Sequence, residues 1–570
     1  MNLGLGLSLG ARGAGFSPAA LFSAGEQGVW YDPSDLSTLF QDSAGTTPVT
    51  AVGQPVGFLG DKSRGFVPGA ELVTNGTFDA DTNGWTQIGG GSFAWDASGG
   101  IACTDVGGAD CNAQTTITTV AGRTYRARWT VRSATGGWLF RIRNATDYSF
   151  QSVIAATGTY TAYFVASVTG TNTVNLISND TNQTVVFDNI SVRELAGNHA
   201  TQPTAASRPV LGRVPVGGRR NLLTFTEQFD DAAWDKTSQG SGAVPTITQN
   251  AGTAPDGTTT AERVQFSRTG TTVTDRSRLE QINIPAVAST NYTFSIWLKS
   301  FGGANQTVTL LPNFGDGIPT AVTVTSEWQR FTLTANTLAG VTATVVVGLG
   351  YVANAVTAAD ILIWGAQLET GSTATAYQRV VTALDVTQAG VPDCYYLSFD
   401  GTDDGMLTGT ITPGIDKVQV FAGVRKLSDA ATGLVAETST DAAANNGAFG
   451  LFAPSASGGN SYRCTSRGTA PASAGTGVFA AAPDTSVITG IGDIASDTAT
   501  LRRNGAVVET VATDQGTGNY LAYPLYIGRR TASVPFNGQI FSLIVRFGAN
   551  LSAATVAQAE AFVNSKTGAY

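Results

Sequence analysis

Tyr125-Arg-Ala-Arg-Trp-Thr-Val-Arg-Ser133 and Tyr292-Thr-Phe-Ser-Ile-Trp-Leu-Lys-Ser300 stand 167 positions apart and decide the fold. Each opens on tyrosine, carries a tryptophan in mid-run and alternates along its length, the period of two that belongs to a strand rather than a helix. The same order recurs around them. Upstream, Glu71-Leu-Val-Thr-Asn-Gly-Thr-Phe-Asp79 leads to Gly84-Trp85, and Asn221-Leu-Leu-Thr-Phe-Thr-Glu-Gln-Phe-Asp230 leads to Ala233-Trp234, with the tryptophans 149 positions apart. Downstream come Tyr160-Thr-Ala-Tyr163 and Trp328-Gln-Arg-Phe331, then Val185-Val-Phe-Asp-Asn-Ile-Ser-Val192 and Ile361-Leu-Ile-Trp-Gly-Ala-Gln-Leu368. A constant order with drifting offsets means equivalent strands joined by loops of unequal length. Residues 67–195 and 219–382 therefore read as two copies of one sandwich module.

Composition agrees. Of 570 residues 13% are charged, against roughly a quarter in an ordinary globular chain, while 42% are hydrophobic and 9% aromatic. Disordered chains show the opposite balance. Short β-branched runs divided by Gly, Asn and Asp mark packed antiparallel sheets, so the expected class is all-β. The length asks for three or four domains. A net charge of −9 argues against nucleic acid, whose phosphates need a basic stripe. No stretch approaches the ~20 apolar residues that span a bilayer, so membrane insertion is not expected. The amino terminus, Met1-Asn-Leu-Gly-Leu-Gly-Leu-Ser-Leu-Gly10, lacks a basic stretch, and a secretory signal is not expected there. Leu3, Leu5, Leu7 and Leu9 alternate with Gly or Ser. They are expected either to add as a strand to a partner, which makes residues 1–27 an assembly anchor, or to form a frayed tail. Cys103 and Cys111 flank a short loop and are read as either a hairpin pair or buried free thiols; Cys394 and Cys464 look solitary.

The two modules have the size of jelly rolls. Their Asn-x-x-Phe…Trp opening, central aromatic strand and last strand ending at Glu194 or Glu369 resemble the carbohydrate-binding modules of extracellular polysaccharide hydrolases. The resemblance implies a sugar platform, for which Trp85, Trp95 and Trp138 are the candidates, since the C–H faces of pyranoses favour aromatic planes. It also implies a structural calcium where Asn75, Asp79 and Asp188 fall, hard oxygen donors all; the plainer alternative is that Asx residues suit turns and strand ends. Trp364 aligns near Asp188, so the second module departs from that metal pattern. Trp129 and Trp297 sit mid-strand and are expected in the core.

Three further pieces frame these modules: Gly28-Val-Trp-Tyr-Asp-Pro-Ser-Asp35 to Asp61-Lys-Ser63, Asn198-His-Ala-Thr-Gln202 to Leu211, and Tyr395-Tyr-Leu-Ser-Phe-Asp-Gly-Thr-Asp-Asp404 onward. Read in succession they resemble the opening of a concanavalin A-like (laminin-G-type) sandwich. The resemblance implies one host domain, residues 28–66, 196–218 and 383–570, carrying both modules as insertions. After 395 the chain reads as strands, with a hairpin at Asn504-Gly505. It ends in a short helix from Ser552 to Lys566 whose apolar face is Val556, Ala559, Phe562 and Val563. The expected fold is all-β, with three sandwiches and one carboxy-terminal helix.

Catalytic chemistry is thinly represented. The single histidine, His199, lies in a loop and is expected to bond local backbone. Glycosidases on the concanavalin A-like fold use an E-x-D-x-E strand that lines carboxylates on one face; the nearest stretch here, Glu437-Thr-Ser-Thr-Asp441, lacks the middle one. Asp400, Asp403 and Asp404 read as a turn, with a calcium site as the alternative. No enzyme is expected. The opening and closing host segments also resemble tailed-bacteriophage fibre and virion proteins. That resemblance implies a virion structural protein, held to other virion proteins by its amino terminus, forming a homo-oligomer, a trimer being common among such fibres, and adhering to a bacterial surface glycan. A capsid or tail decoration protein is the alternative, and a secreted polysaccharide-binding or polysaccharide-degrading protein is a weaker one.

Overall fold

The computed structural model describes residues 16–144, 147–154, 156–475 and 480–570. The leucines at 3, 5, 7 and 9, and with them most of the expected anchor, lie outside the described residues. Two compact units are present. One runs up to Leu211 and resumes at Tyr395; the other spans Gly212–Cys394.

The first unit holds two sandwiches. In one, a sheet runs in the order Asp393–Asp400, Asn537–Phe547, Lys417–Lys426, Asp484–Asp493, Thr498–Arg503, Ala506–Val511, with Gln27–Tyr31 also paired to Asn537–Phe547. Gly28 is required in that pairing: its φ is +141°, and a Cβ would lie 1.9 Å from the Val545 carbonyl oxygen. The facing sheet begins Leu39–Phe40, Phe58–Leu59, Ala200–Thr201, Met406–Ile411, Tyr523–Ile527, so segments from three distant parts of the chain are direct neighbours. Buried apolar residues such as Val29, Leu59, Ala200, Leu397 and Val545 fill the space between.

The Asp-Lys-Ser and Asn-His motifs hold these segments together. The buried Asp61 carboxylate accepts from the backbone N–H groups of Trp30 (2.8 Å), Ser63 (2.8 Å) and Asn198 (2.8 Å), and from the Ser63 hydroxyl (2.8 Å). The Asn198 amide donates to the Gly28 carbonyl (2.8 Å), and the Tyr31 hydroxyl donates to the Asn198 carbonyl. His199 is not a purely local contact: its Nδ1 accepts from the Asp61 N–H (2.9 Å) while Nε2 faces the Leu195 carbonyl (3.2 Å). Burial pushes its pKa below the ordinary value, as expected for a neutral ring used as a backbone partner.

The turn at Asn504-Gly505 has both residues at positive φ, 49° and 79°, which suits the tight twisted hairpin between Thr498–Arg503 and Ala506–Val511. The helix spans Ala553–Thr567; the Ser552 side chain caps it by accepting from the Thr555 N–H (3.1 Å), and Gly568 closes it in the left-handed region. Val556, Ala559 and Val563 pack with Trp30 and Phe421. Phe562 meets the Trp30 ring edge-on at 5.7 Å.

The remaining sandwich of this unit, between residues 67 and 195, and the sandwich of the second unit share one topology. Here one sheet runs Gly158–Val165, Thr124–Ala134, Thr184–Leu195, Gly100–Thr104, Ser92–Asp96; there it runs Gln329–Asn336, Asn291–Ser300, Ala358–Thr370, Ala261–Ser267, Thr246–Gly252. The opposing sheets correspond strand for strand as well: Tyr148–Ile154, Trp138–Arg143, Gly170–Ser178, Cys111–Thr119, Thr86–Ile88 against Thr320–Val324, Gln306–Pro312, Thr342–Leu349, Arg276–Pro285, Asp235–Gln239. Details repeat. Trp85 Nε1 donates to the Asn75 carbonyl (3.2 Å) and Trp234 Nε1 to the Phe225 carbonyl (3.0 Å). Tyr125 accepts from the Val120 N–H and Tyr292 from the Val287 N–H, both at 2.8 Å.

Candidate functional site

In both modules the outward face of the first-named sheet is where polar and aromatic side chains collect. Its central strand alternates: in Thr124–Ala134, residues Tyr125, Ala127, Trp129 and Val131 are buried, and Arg126, Arg128, Thr130 and Arg132 face outward. The neighbouring strand carries a bulge at the same place in each module, Asn189-Ile190 and Gly365-Ala366, with Asn189 (φ 51°) and Gly365 (φ 65°) in the left-handed region.

In the first module this face forms a cleft of about 860 Å³ lined by Arg126, Arg128, Arg132, Arg193, Asp188 and Glu71 among others. Arg132 donates to Asp188 through Nε (2.7 Å) and Nη2 (2.5 Å), and Arg193 Nε donates to Glu71 (3.0 Å). The second oxygen of Asp188 is buried without a hydrogen-bond partner, and so is Arg126 Nε.

The second module builds a different cleft, about 520 Å³, around Trp297, Trp364 and Tyr377, with Glu227, Arg379 and Asp256 supplying polar groups. Trp297 and Trp364 are directly paired across adjacent strands, and the Trp364 and Tyr377 rings lie 4.6 Å apart. The Tyr377 hydroxyl donates to Glu227 (3.1 Å), and Arg379 Nε approaches the other Glu227 oxygen (3.4 Å). Burial raises the Glu227 pKa above the usual carboxylate range. Gly365 leaves the gap beside the ring: a Cβ there would lie 3.0 Å from Trp297 Cδ1.

Several expected site residues are elsewhere. Trp85 and Trp138 are only 6% and 0% exposed and belong to the module core, so they form no platform with Trp95, which is 42% exposed. Pure outward placement of three tryptophans fails because Trp85 closes the end of the sandwich against Phe78 (5.3 Å) and Trp138 packs edge-on against Trp129 (6.5 Å). Trp129 is core, but Trp297 is not; it lines the second cleft. The signal was in the aligned strands: Trp129 is four residues after Tyr125 and Trp297 five after Tyr292, so a period of two sends them to opposite faces. The outward arginines were legible in the same stretch, whereas Tyr377 and Arg379 carry no periodic signal.

Asn75, Asp79 and Asp188 are engaged separately. The Asn75 amide nitrogen donates to the Asp81 carboxylate (2.9 Å), Asp79 accepts from Thr77 (2.9 Å), and Asp188 is held by Arg132 and Asn189. Among the described residues the one cluster of three acidic, histidine or cysteine side chains with ligand atoms within 4.8 Å of one another is Asp400, Asp403 and Asp404. There Asp400 accepts from the Thr402 N–H (2.7 Å), as a turn residue does, and burial together with the Asp400 charge pushes the Asp404 pKa up to about 7. Glu437 is buried and bonded to Arg530 through both oxygens (2.7 and 2.8 Å). Cys103 and Cys111 are buried and free. Among the described residues no helix is long and apolar enough to cross a membrane.

No family model and no curated protein matches the chain. It is similar to several solved structures. The tandem CBM22 domain of Xyn10C from Paenibacillus barcinonensis is 11% identical, with 53% of this chain and 98% of that chain covered, at a TM-score of 0.22. Domain 4 of the extracellular arabinanase AbnA from Geobacillus stearothermophilus, in complex with arabinotriose, is 15% identical over 33% of this chain and 83% of that one, at 0.23. The CBM40 of the Ruminococcus gnavus sialidase, bound to sialyllactose, is 13% identical over 26% and 84%, at 0.22.

Proposed function

We propose that this chain is a bacteriophage display protein, a tail or head fibre component, that adheres to a bacterial surface glycan through its jelly-roll modules. The observation that carries the reading is the cleft of the second module, lined by the aromatic rings of Trp297, Trp364 and Tyr377 beside a Glu227–Arg379 pair, with the Trp364 and Tyr377 rings inclined at 56° to one another. Aromatic faces take up the C–H side of a sugar ring, and a few fixed polar groups orient its hydroxyls. Binding of this kind is weak per site, so many copies on one particle supply avidity. The virion setting rests on the sequence resemblance of the host segments to fibre proteins, and the amino-terminal leucines then join the chain to its virion neighbours. The protein works by attachment, without turnover of the glycan.

The test is a panel of polysaccharides extracted from bacterial surfaces, titrated against the whole chain and against Trp297→Ala. Retention of at least one polysaccharide, weakened about tenfold or more by the substitution, is the expected result. Lack of retention by every polysaccharide overturns glycan adhesion. Gold-tagged antibody against the chain is expected on fibres or tail of intact particles; an even capsid coat favours decoration, and absence from particles removes the virion role.

A further inference from the structure

The two clefts occupy equivalent faces yet differ in chemistry, which points to different ligands. In the first module four guanidinium groups, Arg126, Arg128, Arg132 and Arg193, face two carboxylates, Glu71 and Asp188. Arg132 and Arg193 are neutralised by those partners. Among the described residues Arg126 and Arg128 have none, and they sit on one strand face at a period of two, with Arg128 exposed and the Arg126 Nε buried and unpartnered. An unpaired guanidinium beside a buried donor favours an anion, because Arg presents a planar fork that fits carboxylate or sulfate oxygens. That such a basic cleft persists in a chain of net charge −9 sets it apart from the surrounding surface. Asp188 adds the second half of a sugar site. One of its carboxylate oxygens is buried and unpartnered, and Thr130, Thr159 and Ser191 line the same cleft.

We infer that the first module binds an acidic glycan, with Arg126 and Arg128 holding the carboxylate or sulfate of a sugar residue and Asp188 accepting one of its hydroxyls. This rests on the glycan reading of the modules. It adds that one chain carries two specificities: an aromatic cleft for an uncharged ring and a basic cleft for a charged one.

Affinity electrophoresis of the whole chain tests it, with polygalacturonate, its methyl ester and dextran sulfate in the gel. Retardation by polygalacturonate or dextran sulfate, absent with the ester, is expected, and which polymer retards tells carboxylate from sulfate. Arg126→Gln with Arg128→Gln should weaken that retardation about tenfold or more, Arg128→Gln alone should weaken it measurably, and Arg128→Lys should restore part of it. Because Arg128 is exposed, its single variant separates lost binding from lost folding. Equal retardation by acid and ester, or retardation that survives the double substitution, overturns the inference. If both polyanions fail while a surface polysaccharide still depends on Trp297, this inference falls alone; if nothing binds, the glycan reading falls with it.

Discussion

Glu262 shows how a single buried acid couples the second module to pH. Its Oε2 accepts from the Phe229 and Asp230 N–H groups at 2.8 and 3.0 Å, and the side chain is 2% exposed. Burial, followed by the neighbouring Asp230 carboxylate, pushes its pKa up to about 8. The folded protein therefore keeps a proton that the unfolded chain releases near pH ~4.3. The corresponding stabilisation is complete below that pH and is lost as pH rises through about 8. Glu262→Gln keeps an acceptor for both N–H groups and never ionises. It is expected to melt with the native protein near pH 4 but to be more stable at pH 9, by up to about 5 kcal/mol at ~1.4 kcal/mol for each unit of the shift, read from thermal midpoints across that range. A variant that gains nothing at alkaline pH would show that Glu262 is ionised at no cost. Tryptophans teach a second residue-scale lesson. Identity alone could not tell Trp85 and Trp138, which are core, from Trp297, which lines a cleft; strand phase separates Trp297 from Trp129, its counterpart in the first module, whereas Trp85 stands just ahead of Thr86–Ile88 and is placed by its packing on Phe78.

At the scale of the element, the bulge in Ala358–Thr370 decides where the second cleft lies. It rotates the strand so that Trp364 faces outward opposite Trp297, and it needs Gly365 because φ is +65° and the Trp297 ring passes within 3.0 Å of any Cβ. Gly365→Ala is expected to cost about 1 kcal/mol in stability. It should also lower affinity for whatever polysaccharide the native cleft retains, since the ring must shift. Stability lost with affinity intact would mean that Trp297 is not a contact. Other elements were readable directly. The start of the helix follows from Ser552, and the hairpin from Asn504-Gly505, because caps and tight turns depend on a few adjacent residues.

The largest scale concerns how a host sandwich tolerates a long interruption. Strands Phe58–Leu59 and Ala200–Thr201 are paired although the whole first module lies between them in sequence. Their closure depends on Asp61, whose buried carboxylate bonds the backbones of Trp30, Ser63 and Asn198. Asp61→Ala leaves those buried N–H groups unsatisfied, and a loss of about 3 kcal/mol or more is expected, measured as a shift in denaturant midpoint. A change below about 1 kcal/mol would mean that the segments are held by apolar burial alone. The motif that made these segments recognisable is thus a structural one, which explains why it announces the sandwich and is silent about a ligand.

By itself the sequence determined the class, the repeated module and the order of its strands. Alternation in Thr124–Ala134 and Asn291–Ser300 is a local property, set by a side-chain period of two that any strand must obey. Only the tertiary structure decided which residues share a site. Arg128 meets Ser191, and Trp297 meets Trp364, through pairing between strands some sixty residues apart. Tyr377 reaches the Trp364 ring from a segment beyond the last strand of its sheet. Those neighbours are fixed by register and by a bulge, and neither is written in the spacing of residues along one strand.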